Sequence, residues 1–137
     1  MTVPAPAVIA GELRGAHEAL AAAERLAANS LNRPAVSSAY YAIFHGARAA
    51  VWSRGRTAKT HRGLIRLFTS LFVNTGEAEP EYRDILTYGH DQRQLADYEL
   101  TQFELDANEV RALVGDARRF VERMEQLVNR PAGRVGK

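Results

Sequence analysis

From residue 8 to residue 128 apolar side chains return every three or four positions, and no stretch alternates apolar with polar in the two-residue rhythm of a half-buried strand. No Asn-Gly hairpin signal appears either. The spacing predicts helices throughout. A first helix runs from about Val8 to Asn29, with Leu13, Ala16, Leu20, Ala23 and Ala27 as a narrow apolar stripe. A second starts near Pro34, a residue suited to a first helical turn, and runs to about Arg54. Its core face is Val36, Tyr40, Ile43, Phe44, Ala47 and Val51, and a second stripe of Ser37, Tyr41, His45, Arg48 and Trp52 is polar and aromatic. Thr60 caps a third helix, His61 to about Asn74, which Thr75-Gly76 ends. Pro80 opens a fourth that continues to about Ala96. The last follows Asp106, with Glu109 at the capping-box position and Val110, Leu113, Val114, Ala117, Val121, Met124 and Leu127 as its stripe. The expectation is an all-α, four- to five-helix up-and-down bundle over residues 8–130, with flexible tails at 1–7 and 131–137.

A chain of 137 residues fits one domain and can bury a core without staples. It has no cysteine, which leaves no disulfide framework and no cysteine-based zinc site. No run approaches the roughly 18 apolar residues of a membrane span, and residues 1–7 carry no basic residue ahead of an apolar stretch. The expected location is the cytoplasm, away from membranes. Net charge is +2, unevenly spread. Residues 25–76 hold eight Lys or Arg and no acid, while residues 77–109 hold ten acids against Arg83 and Arg93. Two readings fit: a basic surface for RNA or an acidic partner, or a fold whose two halves pack on each other or dimerise.

Most enzyme classes with strong local signatures find no support here: no His-Glu-x-x-His, no Gly-x-Gly-x-x-Gly, no phosphate loop and no Gly-x-Ser-x-Gly. No metal or cofactor is called for. Tyr41 and His45 lie one helical turn apart, where their side chains can meet, either to bind a nucleotide or partner or as a polar seam between helices. His61 opens a helix between Lys59 and Arg62, with Arg54 and Arg56 upstream. Free helix amides and positive charge there suit a phosphate, and a solvated basic loop suits them equally. His17, alone on an Ala-rich helix, needs no function.

Three stretches stand out in order: Ser37-Ser38-Ala39-Tyr40-Tyr41-Ala42-Ile43-Phe44-His45, Lys59-Thr60-His61-Arg62-Gly63-Leu64, and Arg93-Gln94-Leu95-Ala96-Asp97-Tyr98. Together they resemble the short stand-alone prokaryotic HEPN proteins, with their Tyr-Tyr-Ala-x-Phe-His helix, Thr-His-x-Gly helix start and Arg-x-x-Ala-Asp-Tyr helix end. The resemblance spans about Ala10 to Val128. It implies a helical homodimer, often encoded beside a minimal nucleotidyltransferase antitoxin, and in the wider family a metal-independent ribonuclease. The signature of that activity is Arg, four to six residues, then His. Histidine moves the 2′-hydroxyl or leaving-group proton and arginine stabilises the phosphorane. Arg83 and His90 fit the spacing. The arginine that aligns with the catalytic one is Arg93, and there Asp97-Tyr98 stands where histidine is expected, a departure because aspartate is no near-neutral acid–base group. Arg93 and Asp97, four residues apart, can simply pair. In related pairs a tyrosine near this helix end is adenylylated by the nucleotidyltransferase, a role the resemblance offers to Tyr98.

The candidate catalytic residues are therefore Arg83, His90 and Arg93. The candidate nucleotide- or RNA-binding residues are Tyr41, His45, Lys59, His61, Arg62, Asp97 and Tyr98. Three functions compete: a toxin-type ribonuclease, a non-catalytic dimeric module binding nucleotide, RNA or a partner protein, and a structural subunit assembled through its charged halves.

Overall fold

The computed structural model describes residues 4–130. Their order is α1 (Pro6–Ala28), α2 (Asn32–Ser53), α3 (His61–Phe68) running into one π-helical turn (Thr69–Val73), α4 (Pro80–Tyr98), a 3₁₀ turn (Leu100–Gln102) and α5 (Ala107–Asn129). Among the described residues there is no strand, and no helix is long and apolar enough to cross a membrane. The fold is the expected all-α bundle. α1 opens two residues earlier than the spacing suggested, because Pro6 serves as its first-turn residue. The other terminal residues, 1–3 and 131–137, lie outside the described residues.

α2 is the axis of the bundle: α1, α4 and α5 all pack on it. An ordinary surface helix buries one stripe, whereas eleven of the 22 residues of α2 are buried. Seven of those eleven are Gly or Ala, so neighbouring helices come close from several sides. At Gly46 an added Cβ would stand 3.3 Å from Met124 Cγ, on α5. On the α4 side, a Cβ at Gly89 would meet Ile43 Cδ1 at 3.2 Å and Tyr40 Cδ1 at 3.4 Å. Both glycines are thus conditions of helix contact rather than of backbone freedom.

Local chemistry sets the helix ends. α2 stops in a Schellman turn: Gly55 at φ 75° donates to Trp52, and Arg56 donates to Val51. Thr60 Oγ1 accepts from Gly63 N at 2.9 Å, and a Cβ at Gly63 would press on that oxygen at 3.0 Å. The Thr-His-x-Gly start is thereby explained. Threonine caps, glycine leaves the cap room, and His61 is delivered at the first helical position. The capping box at Asp106 and Glu109 is complete. The expected uninterrupted helix from His61 to Asn74 is not: it widens at Thr69, where Asn74 N reaches back five residues to Thr69 O. Thr69 Oγ1 also takes the carbonyl of Ile65, a back-bond that loosens the α-helical ladder. α4 runs two residues past Ala96, its last turn held by the Arg93–Asp97 pair.

The end of the core remote from the α4 C-terminus is aromatic, with Phe68, Phe72, Phe120 and Tyr82 ring to ring at 5.5 to 6.0 Å. Arg54 lies 4.7 Å from the centre of the Phe72 ring and pairs with Glu77 at 2.8 Å. The two side chains are only 10% and 7% exposed. Among the described residues this is the one ion pair joining the acid-free segment to the acid-rich one. Elsewhere the acids that open α4 are taken by α5, Glu79 by Arg123 and Glu81 by Arg119. Removing one partner of a buried pair leaves the other charge without compensation. Arg54→Met should therefore cost about 3–5 kcal/mol in urea unfolding, and Arg54→Met with Glu77→Leu should recover most of it. A double variant as unstable as the single one would contradict this account.

Candidate functional site

Two of the candidate residues, His61 and His90, come together with Tyr40 where α2, α3 and α4 meet. Tyr40 is fully buried on α2, and its hydroxyl lies 2.6 Å from Nδ1 of His61. The His61 ring lies against Phe44, centroids 4.8 Å apart and 33° between planes, and faces His90 of α4 at 5.4 Å and 34°. His90 in turn stands edge-on to Tyr40 at 5.6 Å. Two histidines from different helices thus sit side by side over one buried tyrosine.

The environment fixes their chemistry. Burial pushes the Tyr40 phenol well above its ordinary value, so it keeps its proton. In the tautomer of neutral His61 that donates Nδ1–H to the Tyr40 oxygen, Nε2 is left bare and can accept a proton. Its pKa is lowered from the ordinary 6.5, chiefly by burial and then by His90, Arg93 and Arg48. His61 is therefore poised as a neutral base at physiological pH.

Arg93, one turn beyond His90 on α4, closes the far side. Nε lies 2.9 Å from Asp97 Oδ2, and Nη2 donates to the Tyr41 hydroxyl at 2.8 Å. The guanidinium lies between the rings of Tyr41 and Tyr98, 5.3 and 5.4 Å from their centres. Its side chain is 13% exposed. Ser37 Oγ donates to the same Asp97 oxygen at 3.2 Å. The predicted i, i+4 pair thus exists within a larger clasp tying the end of α4 to the start of α2. Tyr98 itself is 67% exposed, its ring on the surface.

The other candidates fall outside this cluster. Tyr41 and His45 come within 6.4 Å, centre to centre, and turn to different partners. Tyr41 turns to Arg93, and His45 Nδ1 turns to Glu12 of α1 at 2.8 Å. Arg48 grips the same carboxylate with two bonds, at 2.8 and 2.9 Å. Burial alone would raise the Glu12 carboxyl, but the hydrogen bonds from Arg48 and His45 outweigh it and hold it low. The polar stripe of α2 is in these positions a seam between helices of one chain. His17, read from the sequence as needing no function, lies 3.3 Å from Glu125. Arg83 is exposed, bonds its neighbour Asp84, and lies two turns of α4 from His90, about 10 Å along the axis. Lys59 and Arg62 are exposed beside the start of α3, and a small recess of about 80 Å³ lies there between Lys59, His61 and Arg48.

Sequence reasoning passed over Tyr40 as a plain core residue. Its helical position does put it in the core; what the one-dimensional pattern lacks is the long-range contact with His61, 21 residues away.

The model of the HEPN domain matches residues 12–127. A protein of Methanocaldococcus jannaschii named as a candidate toxin is 39% identical over 111 residues, which is 81% of each chain. A UPF0332 protein of Thermotoga maritima is 30% identical over 116 residues, 84% of this chain and 86% of the relative. Another, from Pyrococcus horikoshii, is 32% identical over 96 residues, 70% of this chain and 68% of the relative. With the five-helix bundle and the three ordered motifs in place, these matches show that the chain belongs to the HEPN family.

Proposed function

We propose that the chain is the RNA-cleaving toxin of a toxin–antitoxin pair, working as a homodimer without a metal and controlled by a nucleotidyltransferase partner. The observation that carries the chemistry is the facing pair of His61 and His90, 5.4 Å apart on α3 and α4. Neutral His61 takes the proton of a 2′-hydroxyl, the 2′-oxygen attacks the adjacent phosphorus, and protonated His90 gives its proton to the departing 5′-oxygen. Arg93 offsets the added negative charge of the phosphorane. The products are a 2′,3′-cyclic phosphate and a 5′-hydroxyl. The name of the M. jannaschii relative supports the toxin reading, and the exposed Tyr98 beside Arg93 suits a modifying enzyme that silences the site.

A specific observation favours a second reading. Arg93 is clasped by Asp97 and Tyr41 and little exposed, an arrangement that holds helices together as well as it serves a reaction. In that reading the chain is a dimeric module binding nucleotide, RNA or a partner protein without turnover.

The two separate in one experiment: cleavage of RNA by the purified protein in EDTA, with product ends identified. Under the first reading His61→Ala and His90→Ala each lose about 10²–10⁴-fold in rate while staying folded. Arg93→Ala also loses rate, and Arg83→Ala loses little because Arg83 stands two turns away. No cleavage by any form leaves the binding module.

The protonation state of His61 has its own consequence for stability. Its folded pKa lies below its unfolded value of 6.5, so below that pH the unfolded chain binds a proton that the fold resists. Stability is full above about pH 6.5 and is lost as pH falls through the folded pKa. Urea midpoints measured from about pH 7.5 down to about pH 5 should fall more steeply for the wild type than for His61→Gln. Equal slopes would show that His61 is not held neutral.

A further inference from the structure

A large hollow lies beside the histidine pair. A groove of about 1040 Å³ runs between α4 and the α3 segment with its π-helical turn. It is roomier than most small-molecule pockets, which span about 300–1,000 Å³. Its walls differ in chemistry. One carries Lys59, Arg66, Ser70 and Asn74, and the other presents Tyr88 from α4, 43% exposed, across an apolar floor that includes Ile65. Among the described residues, Lys59 and Arg66 make no ion pair, nor does Arg62 one helical turn before Arg66. The acids on the opposite wall are partly engaged, Asp84 by Arg83 at 3.2 Å.

The groove is continuous with the histidine pair. A shallower depression shares Ile65, Thr87 and Asp91 with it and adds Arg62 and His90. On the other side of the α3 start, the small recess against His61 shares Ala58 and Lys59 with it. A ligand in the groove therefore ends at the two imidazoles from either direction.

We propose that this groove is a binding site for single-stranded RNA, with a nucleobase stacked on Tyr88 and backbone phosphates on Lys59, Arg62 and Arg66. A free phosphate needs the cations but not the apolar floor or the ring. An acidic peptide needs the cations but gains nothing from a flat aromatic face. A single strand uses both walls, since every base has a π-face and every linkage a charge. The π-helical turn borders the groove, where Ser70 and Asn74 are exposed, and such turns are frequent at functional sites. The assignment rests on the reading of the chain as RNA-directed and adds the place where the strand lies.

The test is binding of a fluorescent, fully 2′-O-methylated RNA of about ten nucleotides, within the site sizes of single-strand binders. Lacking a 2′-hydroxyl, it cannot be cut, so binding is read apart from cleavage. Tyr88→Ala should weaken binding about tenfold, as loss of one stacked base does, and Tyr88→Phe should restore it. Arg66→Ala should lower the slope of log affinity against log salt by about 0.7, one released counterion on a single strand. Val8→Ala, on α1 and outside the groove, should change little. All three positions are exposed, and circular dichroism will confirm that the variants fold. If wild type binds no RNA, or if Tyr88→Ala and Arg66→Ala bind as wild type does, the groove assignment falls. Displacement by polyglutamate from wild type and Tyr88→Ala alike also overturns it, in favour of an acidic protein segment. Cleavage of ordinary RNA that survives these two variants unchanged would leave the ribonuclease reading standing without the groove. Groove-dependent binding with no cleavage would do the reverse.

Discussion

The packing of α2 is the constraint on which the rest of the structure depends. A helix touched by four others must present small side chains where backbones approach and large ones where gaps remain. Alanines at positions 35, 39, 42, 47, 49 and 50 and the glycine at 46 supply the first, and Tyr40, Ile43 and Val51 supply the second. Because protein interiors are close-packed, the depth of approach at Gly46 and Gly89 sets the spacing of α5 and α4 from the axis to within tenths of an ångström. The distance between His90 on α4 and His61 on α3 is in turn set by where each helix rests against Tyr40. A pair spaced this way needs no loop to hold it.

That dependence also explains why polar groups can lie so deep. The Tyr40 hydroxyl would cost about 1–3 kcal/mol if buried without a partner, and the imidazole of His61 supplies one from a neighbouring helix. Glu12 is covered in the same way by Arg48 and His45, and Glu77 by Arg54. Each of these contacts joins two elements distant in sequence, so each acts as a register pin as well as a hydrogen bond. The histidine pair is covered differently: the exposed carboxylate of Asp91 lies 3.8 Å from His90 Nδ1, whereas His61 has a phenol, His90 and the Phe44 ring around it. An environment that resists a proton on one imidazole while its neighbour lies in contact separates the two rings into unlike roles, which is what acid–base chemistry requires.

Much of this architecture was legible in the sequence because its causes are local. Helix content followed from the apolar spacing, the Thr60 and Asp106 caps from side-chain chemistry within three residues, and the Arg93–Asp97 pair from a separation of one turn. What was not legible depends on contacts made across the fold. His45 and Tyr41 share a helix face, yet Glu12 draws one away toward α1 and Arg93 draws the other toward α4. Arg83 and His90 satisfy a spacing rule, yet Arg83 sits out on the surface beside Asp84 while His90 turns inward. The break at Thr69 has a local cause, a hydroxyl competing for a backbone carbonyl, but threonine does this in few helices, so the residue alone does not announce it.

The uneven charge of the chain finds its meaning only in three dimensions. Ten acids and eight bases in adjacent segments suggest two halves that neutralise one another, and a single buried pair, Arg54–Glu77, does so among the described residues. The acids at the head of α4 are instead met by arginines of α5, a helix from outside both segments. Because α5 takes those acids, it relieves the bases of α3 and the loop before it of any partner. Lys59, Arg62 and Arg66 are left exposed beside the two histidines, with no ion pair among the described residues. Surface charges without partners repel one another and draw anions, so a fold whose own carboxylates leave these three unpaired keeps a positive field there.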